Sequence, residues 1–211
     1  MSKGTVYVVD DDRSVCSALR RLLASHGYSV ETFLSPSDFL RAYRAPESAA
    51  CVVLDVSFPG MDGLEFQEHF TSVAALPIVF LSGTSDIAKG VRAMKKGAVD
   101  FLTKPVAEDV LIPAVEQAIA KDRADRGRRE WHQDLRVRWD QLTPREKEVA
   151  HLVVSGMLNK QVGMRLHVSE KTVKVHRARV MEKMQADSVA DLVRMVDAVG
   201  ERVSESGRLG V

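Results

Sequence analysis

The sequence contains only two cysteines, Cys16 and Cys51, and no uninterrupted apolar run of about 18 residues. Two cysteines cannot build a secreted disulfide framework, and with no signal-peptide pattern they predict a protein of the reducing cytoplasm. The lack of a long apolar run excludes a predicted membrane-spanning helix. No CxxC, HExxH, GxGxxG or Walker phosphate-loop motif occurs, which excludes the commonest zinc, dinucleotide and NTPase sites.

The composition that remains is globular, because 45% of the 211 residues are hydrophobic and 28% are charged. This length predicts one large domain or two ordinary ones. The net charge of +1 hides an asymmetry. Residues 1–121 hold 12 Lys and Arg against 15 Asp and Glu, whereas residues 143–185 hold 9 against 4. An acidic first half and a basic second half suggest a sensing or phosphate-handling module tethered to a nucleic-acid binder.

The first half alternates short apolar runs with amphipathic segments. The runs predict strands at 5–9, 29–33, 51–55, 78–81 and 100–103. Helical patterns between them end at Gly27 and Gly97, and Ser35-Pro36 is a helix cap followed by proline. Five strand-then-helix repeats predict an α/β fold with a doubly wound, five-stranded parallel sheet. Ligands of such sheets bind at the carboxyl ends of the strands.

A charged segment follows the last predicted strand. Residues 107–129 predict a long helix, and residues 122–138 hold six Arg and four acidic residues with few aliphatic ones. We expect Gly127 to interrupt this helix. Trp131, Leu135 and Trp139 recur every four residues, a stripe that predicts either packing on a neighbour or a dimer surface.

Residues beyond 141 predict an all-α unit of four short helices. Thr143-Pro144-Arg145-Glu146 is a capping box, and Ser169 caps a third helix over 170–184. Short helices also fit 159–166 and 188–199, with His167-Val168 as a tight turn. Four helices with a short turn before the third predict a helix-turn-helix module.

Side chains able to handle phosphate follow four of the predicted strands. Asp10 and Asp11 follow the first, Asp55 ends the third, Ser82 follows the fourth and Lys104 follows the fifth. These strand ends meet at one edge of a parallel sheet. Three carboxylates repel one another unless a hard divalent cation binds them, so the cluster predicts a magnesium site. A carboxylate can act there as the nucleophile, while the hydroxyl and the ammonium contact the phosphoryl oxygens.

The motifs around these side chains resemble the flavodoxin-like receiver domain of two-component response regulators. They are Val9-Asp10-Asp11-Asp12, Leu54-Asp55, Pro59-Gly60-Met61-Asp62-Gly63, Leu81-Ser82-Gly83 and Lys104-Pro105, and the resemblance covers about residues 4–121. It implies that Asp55 accepts phosphate from a histidine kinase. It implies that Asp11, Asp55 and the backbone carbonyl of Ser57 bind Mg²⁺ directly and Asp10 mainly through water. It further implies that Ser82, Phe101 and Lys104 form the switch, and that the Lys104-Pro105 peptide is cis.

Two positions depart from this pattern. Ser57 stands where a larger Arg or Met is frequent, which could change the lifetime of the phosphoryl group because this side chain borders the path of attacking water. Pro113 falls inside the fifth helix of the receiver, where proline removes a hydrogen bond. We expect that helix to start late or to kink, which puts a family-like dimer through this face in doubt.

The predicted helix 170–184 has two different faces. Val173, Val180 and Met184 share one side, with Arg177 at its edge. The opposite side and its flanks carry the candidate DNA contacts, which are Lys171, Thr172, Lys174, Val175, His176, Ala178 and Arg179. Such a face fits the major groove, where lysines reach phosphates or guanine edges and small apolar groups touch thymine methyls. Lys160, on the preceding helix, is a further phosphate contact, and a merely solvated basic face is the alternative.

Three segments of this half resemble the LuxR-type helix-turn-helix of transcription regulators over about residues 141–198. They are Leu142-Thr143-Pro144-Arg145-Glu146, Asn159-Lys160-Gln161-Val162 and residues 169–176. Gly163 replaces the usual alanine, which should cost roughly 1 kcal/mol of helix stability. His167 replaces a common glycine, so the turn backbone should differ slightly.

Taken in this order, the two resemblances are those of the NarL/FixJ class of response regulators. They imply a receiver at 1–121, a charged helical linker at 122–140, a LuxR-type domain at 141–200 and a frayed tail at 201–211. The expected protein is a phosphorylation-dependent transcriptional regulator and not an enzyme, with Mg²⁺ as its cofactor. Its expected partners are a histidine kinase, double-stranded promoter DNA, a second copy of the chain after phosphorylation, and RNA polymerase. No membrane partner is expected.

Two rival functions use the same residues. A phosphohydrolase of the aspartyl-phosphate class would need a second carboxylate two residues after Asp55, where this chain has Ser57. A DNA-binding protein with a vestigial receiver is the other rival. The complete set of acidic, hydroxyl and lysine side chains argues against a receiver that has lost its phosphorylation site. Single acidic residues at strand ends can also be plain helix caps, as Asp12 is expected to be. Whether the receiver restrains the DNA-binding domain or prevents its pairing stays open.

Overall fold

The computed structural model describes residues 2–58, 61–62, 66–67, 70, 76–83 and 87–200. The chain divides into two compact units, Met1–Arg126 and Gly127–Val211. The predicted tail at 201–211 and the motif residues Pro59, Gly60 and Gly63 lie outside the described residues.

Strands of the first unit form the parallel sheet that the apolar runs predict. The strands are β1 (Thr5–Val9), β2 (Ser29–Phe33), β3 (Ala50–Asp55), β4 (Ser57–Phe58), β5 (Met61–Asp62), β6 (Ile78–Ser82) and β7 (Asp100–Thr103). Five of them pair in parallel in the order β2-β1-β3-β6-β7, and β4 pairs with β5 antiparallel. The doubly wound, five-stranded sheet is therefore confirmed.

The sheet is covered on both faces, which explains its continuous apolar strands. Val8 and Val53 lie in one hydrophobic cluster, and Val9 and Leu54 lie in the other. Successive side chains alternate between the two faces, so every residue of β1 and β3 is buried.

Four of the described helices, two in each unit, begin at caps that the sequence predicts. The helices are α1 (Arg13–Ser25), α2 (Pro36–Ala42), α3 (Ile87–Lys95), α4 (Glu108–Asp140), α5 (Pro144–Val154), α6 (Asn159–Leu166), α7 (Glu170–Met184) and α8 (Val189–Val199). Asp12 caps α1 by accepting the N–H groups of Ser14 and Val15, and Ser35 caps α2. Thr143 and Glu146 form the capping box of α5.

Helix α4 continues through Gly127 without the expected interruption, which corrects that expectation. It begins at Glu108 with Pro113 inside it, so proline does not delay its start, and the kink at Pro113 stays a prediction. A glycine costs a helix only about 1 kcal/mol, and burial of the last turns of α4 outweighs that cost. Leu135 and Trp139 are buried in the core of the second unit. The stripe is thus packing at these two residues, whereas Trp131 is 44% exposed.

The second unit is all-α, as predicted, and contains the helix-turn-helix. Its core includes Val149, Val162 and Val173 from three successive helices. The turn between α6 and α7 passes through His167, which adopts a left-handed conformation with φ 55°. A side chain at that φ is strained relative to glycine.

Both cysteines are buried in the first unit. Cys16 is 4% exposed and Cys51 is fully buried. Burial raises the pKa of both thiols, so neither is in the reactive thiolate form at neutral pH. Within the described part of the chain, every helix is too short or too polar to cross a bilayer.

Candidate functional site

The carboxyl ends of β1 and β3 bring three carboxylates together. These strands pair in parallel, with Val9 opposite Leu54, so the residues that follow them emerge side by side. Asp10 and Asp55 are buried, whereas Asp11 is exposed. One oxygen from each of the three carboxylates lies within 4.8 Å of the other two. This donor set fits a hard divalent cation such as Mg²⁺.

Lys104 enters the same cluster from the end of β7. Its Nζ lies 2.6 Å from Oδ2 of Asp10 and 3.3 Å from Oδ1 of Asp55. The backbone N–H of Lys104 donates to the carbonyl of Ser82 at 2.7 Å, which ties the end of β7 to β6. The Lys104-Pro105 peptide is cis, as the resemblance implied. The structure thus places the ammonium group of Lys104 in contact with Asp10 and Asp55, and Asp11 completes the carboxylate cluster beside them.

Burial and the ammonium group act on Asp55 in opposite directions. Burial raises the pKa of Asp55, and the positive charge of Lys104 opposes this without cancelling it. Burial alone would lower the pKa of Lys104, but its contacts with Asp10 and Asp55 raise it. The positive charge of Lys104 therefore favours the ionised form of the Asp55 carboxylate and opposes the effect of burial.

The two other side chains assigned to the switch lie on the neighbouring strands β6 and β7. Ser82 is 2% exposed at the end of β6, and Phe101 is half-buried in β7 with its ring centre 6.2 Å from that of Phe80. Gly90, on α3, allows the ring of Phe101 to approach closely, because a Cβ there would lie only 3.3 Å from it. The contact of Gly90 with Phe101 was not predicted from the sequence. The only sequence signal for it was a small residue within a predicted helix.

Ser57 differs chemically from the carboxylates of the cluster, because its side chain is a hydroxyl. It begins β4, two residues beyond Asp55, and its side chain is exposed. A hydroxyl in this place cannot act as the second carboxylate of a phosphohydrolase. The resemblance assigns to the metal the backbone carbonyl of Ser57 and not its side chain.

The second unit presents the predicted basic face on α7. Val173, Val180 and Met184 are buried in the core. The exposed residues among the candidates are Lys160 on α6, and Lys171, Lys174, Val175, Ala178 and Arg179 on α7. Thr172 and His176 are half-buried at the flanks, and Ser169 caps the helix by accepting the N–H of Thr172. A helix with such a face can lie in a major groove.

Arg177 was not among the candidate DNA contacts. Its Nη1 donates to Oδ1 of Asn159, 3.1 Å away at the start of α6. Its place at the edge of the buried side of the helical wheel was the only sequence signal of such a contact.

Comparisons with known proteins match both units. Residues 6–116 match the model of the response regulator receiver domain, and residues 140–196 match that of the bacterial regulatory proteins of the luxR family. Nodulation protein W of Bradyrhizobium diazoefficiens is 42% identical over 200 residues, which is 94% of this chain and 88% of the relative. The structure of the response regulator StyR is 45% identical, with a TM-score of 0.81 over 93% of this chain and 99% of that one. Full-length FixJ from B. japonicum is 37% identical, with a TM-score of 0.58 over 95% of this chain and 98% of that one.

Proposed function

The chain belongs to the NarL/FixJ class of response regulators, which join a receiver domain to a LuxR-type DNA-binding domain, and we propose that phosphorylation of Asp55 controls its binding to promoter DNA. Proteins of this family are transcriptional regulators of two-component systems and not enzymes. One observation carries the proposal: the buried carboxylate of Asp55 lies beside Lys104 and two further carboxylates.

The proposed reaction transfers a phosphoryl group from a phosphohistidine of the kinase. An oxygen of Asp55 attacks the phosphorus, the P–N bond breaks with its electron pair going to the histidine, and a mixed carboxylic–phosphoric anhydride forms. Lys104 is placed to contact a phosphoryl oxygen, because its Nζ already lies 3.3 Å from Oδ1 of Asp55. Burial of Asp55 strengthens this electrostatic contact relative to the same contact in water.

We assign the metal site to Asp10, Asp11, Asp55 and the backbone carbonyl of Ser57. When bound, Mg²⁺ would offset the negative charge of the phosphoryl oxygens. Asp10 also accepts the backbone N–H of Asp12 at 3.0 Å, which orients its carboxylate at the end of β1. This second hydrogen bond suits a residue that acts through water rather than as a direct ligand.

The switch begins with the new charge on residue 55. A dianionic phosphoryl group would attract the hydroxyl of Ser82, and the space that this hydroxyl leaves lets Phe101 turn inward. The face of α3, β7 and the start of α4 then repacks. A partner that binds the repacked face more tightly shifts the population toward the active state.

The output is binding to double-stranded promoter DNA through Lys160 and the exposed face of α7. We retain the domain plan of a receiver at 1–121, a linker at 122–140 and a DNA-binding domain at 141–200. Phosphorylation favours a homodimer on two half-sites, a histidine kinase is the donor, and RNA polymerase is a further partner. A protein that binds promoter DNA works where the chromosome is, so we place it in the cytoplasm.

Modification by acetyl phosphate with Mg²⁺ tests the phosphoacceptor directly. Intact-mass measurement should show one added phosphoryl group on wild type and none on Asp55→Asn. Asp12→Asn is the matched control, because asparagine caps a helix as well as aspartate does and residue 12 caps α1 outside the cluster. Modification of Asp55→Asn to the wild-type level contradicts the assignment.

The role of Lys104 is tested by separating modification from response. Lys104→Ala should still be modified at Asp55, but beryllofluoride should no longer increase its binding to DNA. A duplex selected from a random pool by the wild-type chain serves as the probe. An undiminished response of Lys104→Ala overturns the role of this lysine in the switch.

The rival with a vestigial receiver makes a distinct prediction in the same assay. Wild type would then bind the selected duplex equally well with and without the phosphate mimic. We expect instead a higher affinity and a larger mass in solution when beryllofluoride is present, because pairing of the chain brings two DNA-binding domains to one site.

A further inference from the structure

Arg177 differs from the other cations near the exposed face of α7. Lys171, Lys174 and Arg179 are exposed, whereas Arg177 is half-buried. Its Nη1 donates to the side-chain oxygen of Asn159 at 3.1 Å, 18 residues earlier in the chain. This arginine therefore joins α7 to the first residue of α6.

Helix α6 needs tertiary contacts of this kind because it has only eight residues. At its carboxyl end, Nη2 of Arg145 donates to the carbonyl of Leu166 at 2.6 Å. At its amino end, Asn159 accepts from Arg177. Two arginines thus hold the two ends of α6, one from α5 and one from α7.

The two contacts have different electrostatics. A cation near the carboxyl end of a helix is favoured by the helix dipole, and Arg145 has that position. A cation near the amino end is not favoured by the dipole, so the hydrogen bond to Asn159 is what accounts for the position of Arg177. The guanidinium fork can donate to a side-chain oxygen in a defined direction, which makes the contact specific in geometry.

We propose that Arg177 is a positioning residue that, through Asn159, sets how accurately α7 presents Val175 and Ala178 to base edges. The proposal rests on the DNA-binding role given above. Contacts to bases carry sequence information, whereas contacts to phosphates carry none directly. Losing the Arg177–Asn159 hydrogen bond should therefore reduce sequence discrimination and leave general affinity for DNA intact.

The test compares the full-length wild type with Arg177→Ala, Asn159→Ala and the double variant. The probes are a duplex selected from a random pool by the wild-type chain and a scrambled duplex of the same composition, both titrated over a range of salt. Each single variant should bind the selected duplex about fivefold more weakly, and the scrambled duplex unchanged. The double variant should lose no more than one single variant does, because both remove the same contact.

Arg179→Ala is the matched control, since Arg179 is an exposed arginine on the same helix. It should weaken binding to both duplexes and lower the slope of log affinity against log salt by about 0.9. Arg177→Ala should leave that slope unchanged. Arg177→Lys keeps the positive charge but loses the guanidinium fork, so it should recover little of the discrimination.

Four results overturn the inference. A slope lowered by about 0.9 in Arg177→Ala means a direct phosphate contact. Additive losses in the double variant mean that the two residues act independently. Wild-type discrimination in the single variants means that the contact has no effect on sequence discrimination. Full recovery in Arg177→Lys means that positive charge at this position is enough without the directed hydrogen bond of the guanidinium. If the wild-type chain selects no duplex, the proposed function fails first, which separates the two outcomes.

Discussion

Replacing Gly163 by alanine should destabilise the second unit, although alanine is the better helix former. Intrinsic propensity favours alanine in α6 by about 1 kcal/mol. However, the new Cβ would lie 2.8 Å from the carbonyl oxygen of Val168, with the N–H group of Glu170 behind it at 3.6 Å. The turn cannot easily move away from the new Cβ, because the N–H of Val168 donates to the carbonyl of Gly163 at 3.0 Å. Overpacking costs about 1–3 kcal/mol, so the expected net loss is about 1 kcal/mol.

The tryptophans make this loss measurable in the full chain. Trp131 and Trp139 are its only two, and both lie in the second unit, so tryptophan fluorescence during a urea titration follows that unit alone. Gly127→Ala is the control, because its Cβ would meet nothing within 4 Å and alanine should stabilise the helix by up to about 1 kcal/mol. A Gly163→Ala chain as stable as wild type refutes the packing argument.

Three further predictions use similar measurements. His167→Gly should raise the free energy of unfolding by about 1 kcal/mol in the same titration, because it relieves the left-handed strain at φ 55°. Burial acts to raise the pKa of Glu146, but hydrogen bonds from Lys183 and Thr143 outweigh it and lower the pKa. The second unit should therefore lose stability as the pH falls from about 5 to 3, and Glu146→Gln should show a smaller loss. Lys174→Ala should lower the salt slope of DNA binding by about 0.9 if Lys174 contacts a phosphate; an unchanged slope with altered site preference would mean base reading.

Local sequence patterns were sufficient to predict the sheet and the composition of the acidic cluster. The predicted apolar runs differ from β3 and β6 by only one residue at one end. The agreement is close because strands buried on both faces need continuous apolar sequence. Once the strands are parallel, Asp10, Asp55 and Lys104 must emerge at the same edge. Distances such as the 2.6 Å between Lys104 and Asp10 depend on side-chain conformations that no pattern specifies.

The misses share a cause in contacts between distant residues. Gly127 predicts a helix break by its own propensity, but the burial of Leu135 and Trp139 further along keeps α4 continuous. The cost assigned to Gly163 likewise took no account of the backbone of Val168, which approaches only after the turn has formed. Arg177 could be placed at the edge of the wheel, but its partner on α6 could not be identified from spacing.

The burial of both thiols has a practical consequence for spectroscopy. Cys16 and Cys51 are enclosed and held in their neutral form, so a maleimide or a nitroxide reagent should react with neither in the folded chain. A cysteine introduced at an exposed position such as Ala178 would then be the sole attachment point. Probe pairs can therefore be placed on the wild-type background, and distances between them followed as the chain is activated, without first removing its native sulfur atoms.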